Sequence, residues 1–138
     1  MSLPDFRQTT QMPLLTQSTQ DEAFTLAYYL LGSETQAVEA VQKALAGTPA
    51  RTSQPEELRL AILRGVGAQC QSHSRRPYLP TSDEISARLG QLSGLERAAA
   101  ILVDVLGLSY GEAARVLGCS PRQAGKLLAR ARLNLLSL

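Results

Sequence analysis

Apolar residues recur along the chain at three- and four-residue spacing in short blocks, separated by polar stretches that carry glycine or proline. Period-two alternation, the mark of a half-buried strand, is absent over any useful length, and aromatics make up only 4% of the residues. The blocks begin and end with helix punctuation. Ser or Thr followed three residues later by Glu or Gln is the capping-box spacing, in which each side chain satisfies an orphan amide at the helix start. Thr19/Glu22, Ser33/Gln36, Ser53/Glu56, Thr81/Glu84, Ser93/Glu96 and Ser109/Glu112 all have it. At helix length, Gly32, Gly47, Gly107 and Gly118 supply the stops. The pattern predicts helices near residues 19–31, 34–46, 54–72, 82–91, 94–106, 110–117 and 121–136, and hence an all-α fold.

The stretch "SHSRRPYLPTS" combines two prolines, polar residues and a basic pair, which is the composition of a linker or hinge. Two small helical domains are expected on either side of it: an N-terminal three-helix unit over 19–73 and a C-terminal four-helix unit over 82–138, joined by 74–81. The opening "MSLPDFRQTTQMPLLTQST" has neither a basic start nor a long apolar run, so residues 1–18 read as a flexible polar arm rather than a targeting segment. No segment approaches the roughly 20 apolar residues of a membrane span.

In "LSYGEAARVLGCSPRQAGKLLARARLNLL" a short helix from Tyr110 stops at Gly118, and Ser120 can cap the next helix with Pro121 at its first position. Helix, glycine turn and helix make a helix-turn-helix. Stepping about 100° per residue puts Leu128, Ala131 and Leu135 within about 40° of Ala124, as a buried stripe. On the same count Arg122 and Lys126 lie opposite it, with Gln123 and Arg130 on one flank. The charge distribution agrees. The formal net charge is only +2, residues 1–80 carry seven Lys/Arg against seven Asp/Glu, and Ser120–Leu138 hold four cations and no acid. An outward basic row preceded by turn chemistry suits the major groove and its phosphates, while a plain solvated helix face is the competing account. Leu133 and Leu136 fall outside the buried stripe, which points either to a partner or to packing on the N-terminal unit.

These residues carry a resemblance. "LERAAAILVDVLGLSYGEAARVLGCSPRQAGKLLARARLNL" resembles region 4 of bacterial RNA polymerase sigma factors of the extracytoplasmic-function type, matching it in register at Gly107–Tyr110, Glu112, Ala114, Leu117–Pro121 and Arg130–Arg132. "FTLAYYLLGSETQAVEAVQKAL" is similar to region 2, at Ala37, Glu39, Val41 and Gln42. The third helix stands where the family places the helix that recognises the promoter −10 element. Departures are visible: Val38 replaces an acid, Lys43 stands where Glu is usual, and Gly125 and Leu127 occupy positions that are usually cationic. The resemblance implies promoter DNA and core RNA polymerase as partners. It assigns DNA contacts to Ser120, Arg122, Gln123, Lys126 and Arg130, and polymerase contacts to Glu39 and Gln42. It also implies a cytoplasmic protein, with an anti-sigma-like regulator or self-association as further partners.

No enzyme chemistry is expected. His73 is the only histidine, the two cysteines Cys70 and Cys119 are far apart, and no Ser/His/Asp set or phosphate loop has a supporting context. No cofactor or metal is expected either. Three functions follow: a sigma-like initiation factor; a DNA-binding regulator that does not engage polymerase; and a protein-interaction module that does not read DNA.

Overall fold

The computed structural model describes residues 16–47, 54–72 and 84–136. They form α1 (Gln17–Leu31), α2 (Glu34–Gly47), α3 (Pro55–Ser72), α4 (Glu84–Leu89), α5 (Gly94–Ala100), α6 (Tyr110–Leu117) and α7 (Pro121–Leu136), with a π turn over Ile101–Val105 prolonging α5. No strand occurs among the described residues, so the all-α expectation holds. The arm to residue 15 and the linker 74–81 lie outside the described residues, as do the expected caps Ser53 and Thr81.

The expected punctuation holds at Ser33, Ser93 and Ser109, whose hydroxyls accept from the amides of Gln36, Glu96 and Glu112 at 3.3, 3.3 and 3.1 Å. It fails at Thr19. The first helix starts at Gln17 because Thr16 takes the cap, its Oγ1 accepting from the Thr19 amide at 3.1 Å. Thr19 is then buried inside the first turn, and Glu22, freed from capping, turns to Arg59. The helix expected over 94–106 is not α throughout. The Leu106 amide donates to the Ile101 carbonyl five residues back, at 2.9 Å, which is the π pattern.

Helices α1, α2 and α3 pack pairwise, α5 and α6 pack on α7, and α3 lies against α6. Gly65 of α3 sits on Ala44 of α2, where a Cβ would come within 3.4 Å of the Ala44 Cβ. Leu58 and Ile62 fall within about 60° of Gly65 by helical stepping, so α3 turns this side to α2 and an opposing one to α6. A single cluster of buried residues runs through both halves of the chain, from Phe24, Leu26, Leu45, Ile62 and Leu63 to Ile101, Leu102, Ala113 and Val116. Each fully buried Leu, Ile or Phe contributes about 1.5–3 kcal/mol, and residues of both halves contribute to this cluster.

Arg97 ties the halves by polar contacts. Its guanidinium donates to the carbonyls of Leu89, Leu92 and Gly90 at 2.7, 2.9 and 3.2 Å, and to Leu30 at 2.8 Å. It thereby satisfies the end of α4, the turn after it and a last-turn carbonyl of α1, where a cation also complements the helix dipole. A cleft of about 720 Å3 opens beside this junction, lined among others by Leu26, Leu30, Leu31, Arg64, Leu102 and Leu117.

Candidate nucleic-acid interface

The helix-turn-helix is built by α6 and α7. Its turn depends on Gly118, at φ 73°, a left-handed conformation that side chains with a Cβ rarely adopt. From there Gly118 and Cys119 return their amides to the Ala114 carbonyl, closing α6. Ser120 then starts α7 as expected, and the cap is reciprocal. Its Oγ accepts from the Gln123 amide at 3.2 Å while its own amide donates to Gln123 Oε1 at 3.1 Å.

Ala124, Leu128 and Ala131 are buried, with Leu135 partly so, as the stepping predicts. Arg122, Gln123, Lys126 and Arg130 are all exposed on the other side. Gln123 has two roles to share, because its carbonyl oxygen is held by the cap and its amide nitrogen is left for anything outside. Ser120 is likewise occupied by capping. The fourth cation of the segment belongs elsewhere: Arg132 Nη2 lies 2.7 Å from Asp104 Oδ1, which raises its pKa. The ring of Tyr110 covers Gly125, where a Cβ would meet it at 3.5 Å. Gly125 therefore sits under an aromatic side chain.

The start of α6 is more crowded. Ser109 and Glu112 form a complete capping box, with the Ser109 amide donating to Glu112 Oε1 at 3.0 Å. The other oxygen, Oε2, faces Arg59 Nη1 at 3.3 Å. The Ser109 amide, with help from the Arg59 charge, holds the Glu112 carboxyl below its usual range. Arg59 also grips Glu22 through two hydrogen bonds, at 2.7 and 2.8 Å, and Glu56 through one at 2.9 Å. Its pKa is raised, chiefly by Glu22. Neither Arg59 nor Arg97 is prominent in the sequence: Glu56 three residues before Arg59 is the one local hint, and the long-range partners have none.

Glu39 and Gln42 lie on α2 away from Ala37, Ala40, Val41, Ala44 and Leu45, which face the core. Gln42 is exposed, and Glu39 pairs with Lys43 at 3.0 Å. The carboxylate is thus locally matched by Lys43. The structure does not bring these two residues together with the α7 row. Leu133 and Leu136, 65% and 83% exposed, do not pack on the N-terminal unit. Cys70 is buried, and desolvation pushes its thiol up to about 12, which makes it inert at neutral pH. Among the described residues no group of three or more His, Cys, Asp or Glu side chains is placed to hold a metal, and no helix is long and apolar enough to cross a membrane.

Residues 82–135 match the family model "Sigma-70, region 4". No curated protein matches the chain by sequence. Solved structures are similar in fold. CnrH, solved in complex with the cytosolic domain of CnrY, has 22% identity and a TM-score of 0.71, covering 85% of this chain and 79% of that one. The sigma factor RpoE of Bartonella quintana, solved with the anti-sigma factor NepR, has 20% identity and a TM-score of 0.64 over 95% and 96%. SigJ, an extracytoplasmic function sigma factor of Mycobacterium tuberculosis, has 23% identity and a TM-score of 0.63 over 86% and 51%. Residues 82–135 are therefore similar to sigma-70 region 4, and the chain shares its overall fold with CnrH, RpoE and SigJ.

Proposed function

We propose that the chain is a sigma-factor-like transcription initiation protein, which engages core RNA polymerase and reads a −35-like promoter element through α7. The observation that carries the reading is the open row Arg122, Lys126 and Arg130 on the outer face of a capped second helix, inside a segment that matches region 4. Ser120 orders the start of that helix, and Gln123 offers its amide nitrogen beside the row. A single helix of this kind makes few phosphate contacts, so its own affinity is modest. Tethering to polymerase raises its effective concentration at a promoter. On this reading Glu39 and Gln42 belong to the polymerase-facing surface of the N-terminal unit, with residues 74–81 as the connection between the units.

An anti-sigma-like regulator fits the same reading, and the cleft at the junction of the units, which has no acidic side chain among the described residues of its lining, is the surface we assign to it. The deciding experiment is run-off transcription from a genomic promoter library with core RNA polymerase and the purified protein. Discrete transcripts that need both components are the expected result. Absence of transcripts together with absence of binding to core at low salt rejects the initiation role and leaves a DNA-binding regulator, which would still bind DNA without polymerase.

A further inference from the structure

The box at the start of α7 fixes more than a helix end. Ser120 donates its amide to Gln123 Oε1 at 3.1 Å, and its hydroxyl accepts from the Gln123 amide at 3.2 Å. This orients the Gln123 carboxamide, because turning it over would set its NH2 group against the Ser120 N–H, donor against donor. The oxygen is therefore used inside the helix start. The Nε2 amino group bonds to no other side chain or backbone atom among the described residues, and the side chain is exposed. Stepping about 100° per residue puts Gln123 about 20° around the helix from Arg130 and about 60° from Lys126. It stands in the first turn of the second helix, the part of a helix-turn-helix that meets base edges.

A glutamine with both ends of its amide free reads adenine, accepting from N6 and donating to N7. Gln123 in its box has only the donating end to offer. Guanine presents two acceptors side by side in the major groove, O6 and N7. Adenine and cytosine each turn an amino donor outward, and thymine sets a methyl group beside its one acceptor. We propose that Gln123 is a specificity-determining residue that reads guanine as a donor only, and that the Ser120 amide sets this choice by holding the oxygen. The proposal deepens the DNA reading of α7 given above and rests on it. Reading adenine would require the side chain to swing out, leaving the Ser120 amide an orphan and giving up an ordered rotamer. The guanine contact is made by a side chain already in place.

The test is selection at low salt from duplexes with a randomised central segment, using the full chain with core RNA polymerase and, in a parallel arm, without it. The bound duplexes are sequenced. The wild-type chain is expected to enrich an element in which guanine is preferred over adenine at one position by roughly two- to tenfold, the worth of one hydrogen bond. Gln123→Glu is the decisive variant. One carboxylate oxygen keeps the Ser120 amide and the other faces out as an acceptor only, so the preference at that position should turn from guanine to cytosine, whose N4 amino group donates. The rest of the element should stay as it was. Gln123→Ala should flatten the same position, and it carries the test if the carboxylate variant does not fold. Preference of the wild-type chain for another base at the responding position, or guanine retained in Gln123→Glu, overturns the proposal. An enriched element in which no position responds to either variant also overturns it and leaves the DNA reading standing. No enriched element in either arm brings down the DNA reading and this proposal with it.

Discussion

Arg97 Nη1 donates to the carbonyl oxygen of Leu30 at 2.8 Å, across 67 positions of sequence. Through this bond a cation of the C-terminal unit completes the last turn of a helix in the N-terminal unit, while its other nitrogens complete the end of α4. Replacing Arg97 by Met removes the guanidinium from the partly buried Leu30, Gly90 and Leu92 carbonyls, at about 1–3 kcal/mol for a group left unsatisfied, while Leu89 keeps the Leu92 amide. A loss of roughly 2–4 kcal/mol is expected in chemical denaturation. Arg97→Lys should recover only part of it, because one ammonium cannot reach carbonyls on several sides. Full recovery by Lys would show that charge, and not the guanidinium fork, is what matters.

The box at the start of α7 closes on glutamine, and this can be tested against DNA. Ser120→Ala removes the hydroxyl that accepts from the Gln123 amide and should cost about 1 kcal/mol. Gln123→Glu keeps an oxygen acceptor for the Ser120 amide and should hold the melting temperature. It places a negative charge beside the basic row, so binding to duplex DNA should fall several-fold. A variant that loses stability and keeps its DNA affinity would contradict both halves of this account.

Cations on α7 differ in their freedom. Arg122, Lys126 and Arg130 point outward, while Arg132 is held by Asp104 and stands about 120° around the helix from Lys126. In plots of log affinity against log salt, Arg122→Ala, Lys126→Ala and Arg130→Ala should each lower the slope by about 1. Arg132→Ala should leave it unchanged. Equal slopes for all four variants would place Arg132 on the DNA as well.

Two glycines of α3 should respond in opposite ways. Gly67 has open space where a Cβ would go, so Gly67→Ala should stabilise the protein by about 0.5–1 kcal/mol through helix propensity and a less flexible unfolded chain. Gly65 is pressed against Ala44. Gly65→Ala should gain less, or lose stability, as α2 and α3 are pushed apart. Denaturation midpoints of the two variants decide it, and an equal gain from both would remove the close approach as the reason for Gly65.

Helix identity was readable because it is local. Ser33, Ser93, Ser109 and Ser120 cap through neighbours three residues away, and the buried stripe Ala124, Leu128 and Ala131 follows from periodicity. The outward row of α7 was readable for the same reason. Thr19 misled because Thr16 competes for the same helix start, with a hydroxyl three residues earlier that caps equally well. Glu22 looked like a box acid in the same pattern, yet it turns to Arg59 once α3 lies beside α1, where Arg59 already meets Glu56 within its own helix. Arg97 and Arg59 carry no local signal for their distant partners, since packing alone creates those contacts. The crowded start of α6 was therefore invisible until the halves were seen against each other.

The π turn over Ile101–Val105 sets a limit of another kind. Closing a turn five residues back takes up one residue more than an α turn does. Between the cap at Ser93 and the turn at Gly107, that surplus fixes how far the chain has rotated when it reaches the helix-turn-helix. Forcing an ordinary α ladder on the same residues would swing everything downstream by about 100°. Leu108 would leave the core and Asp104 would lose Arg132. The π turn is thus what keeps this stretch in register with the helix-turn-helix.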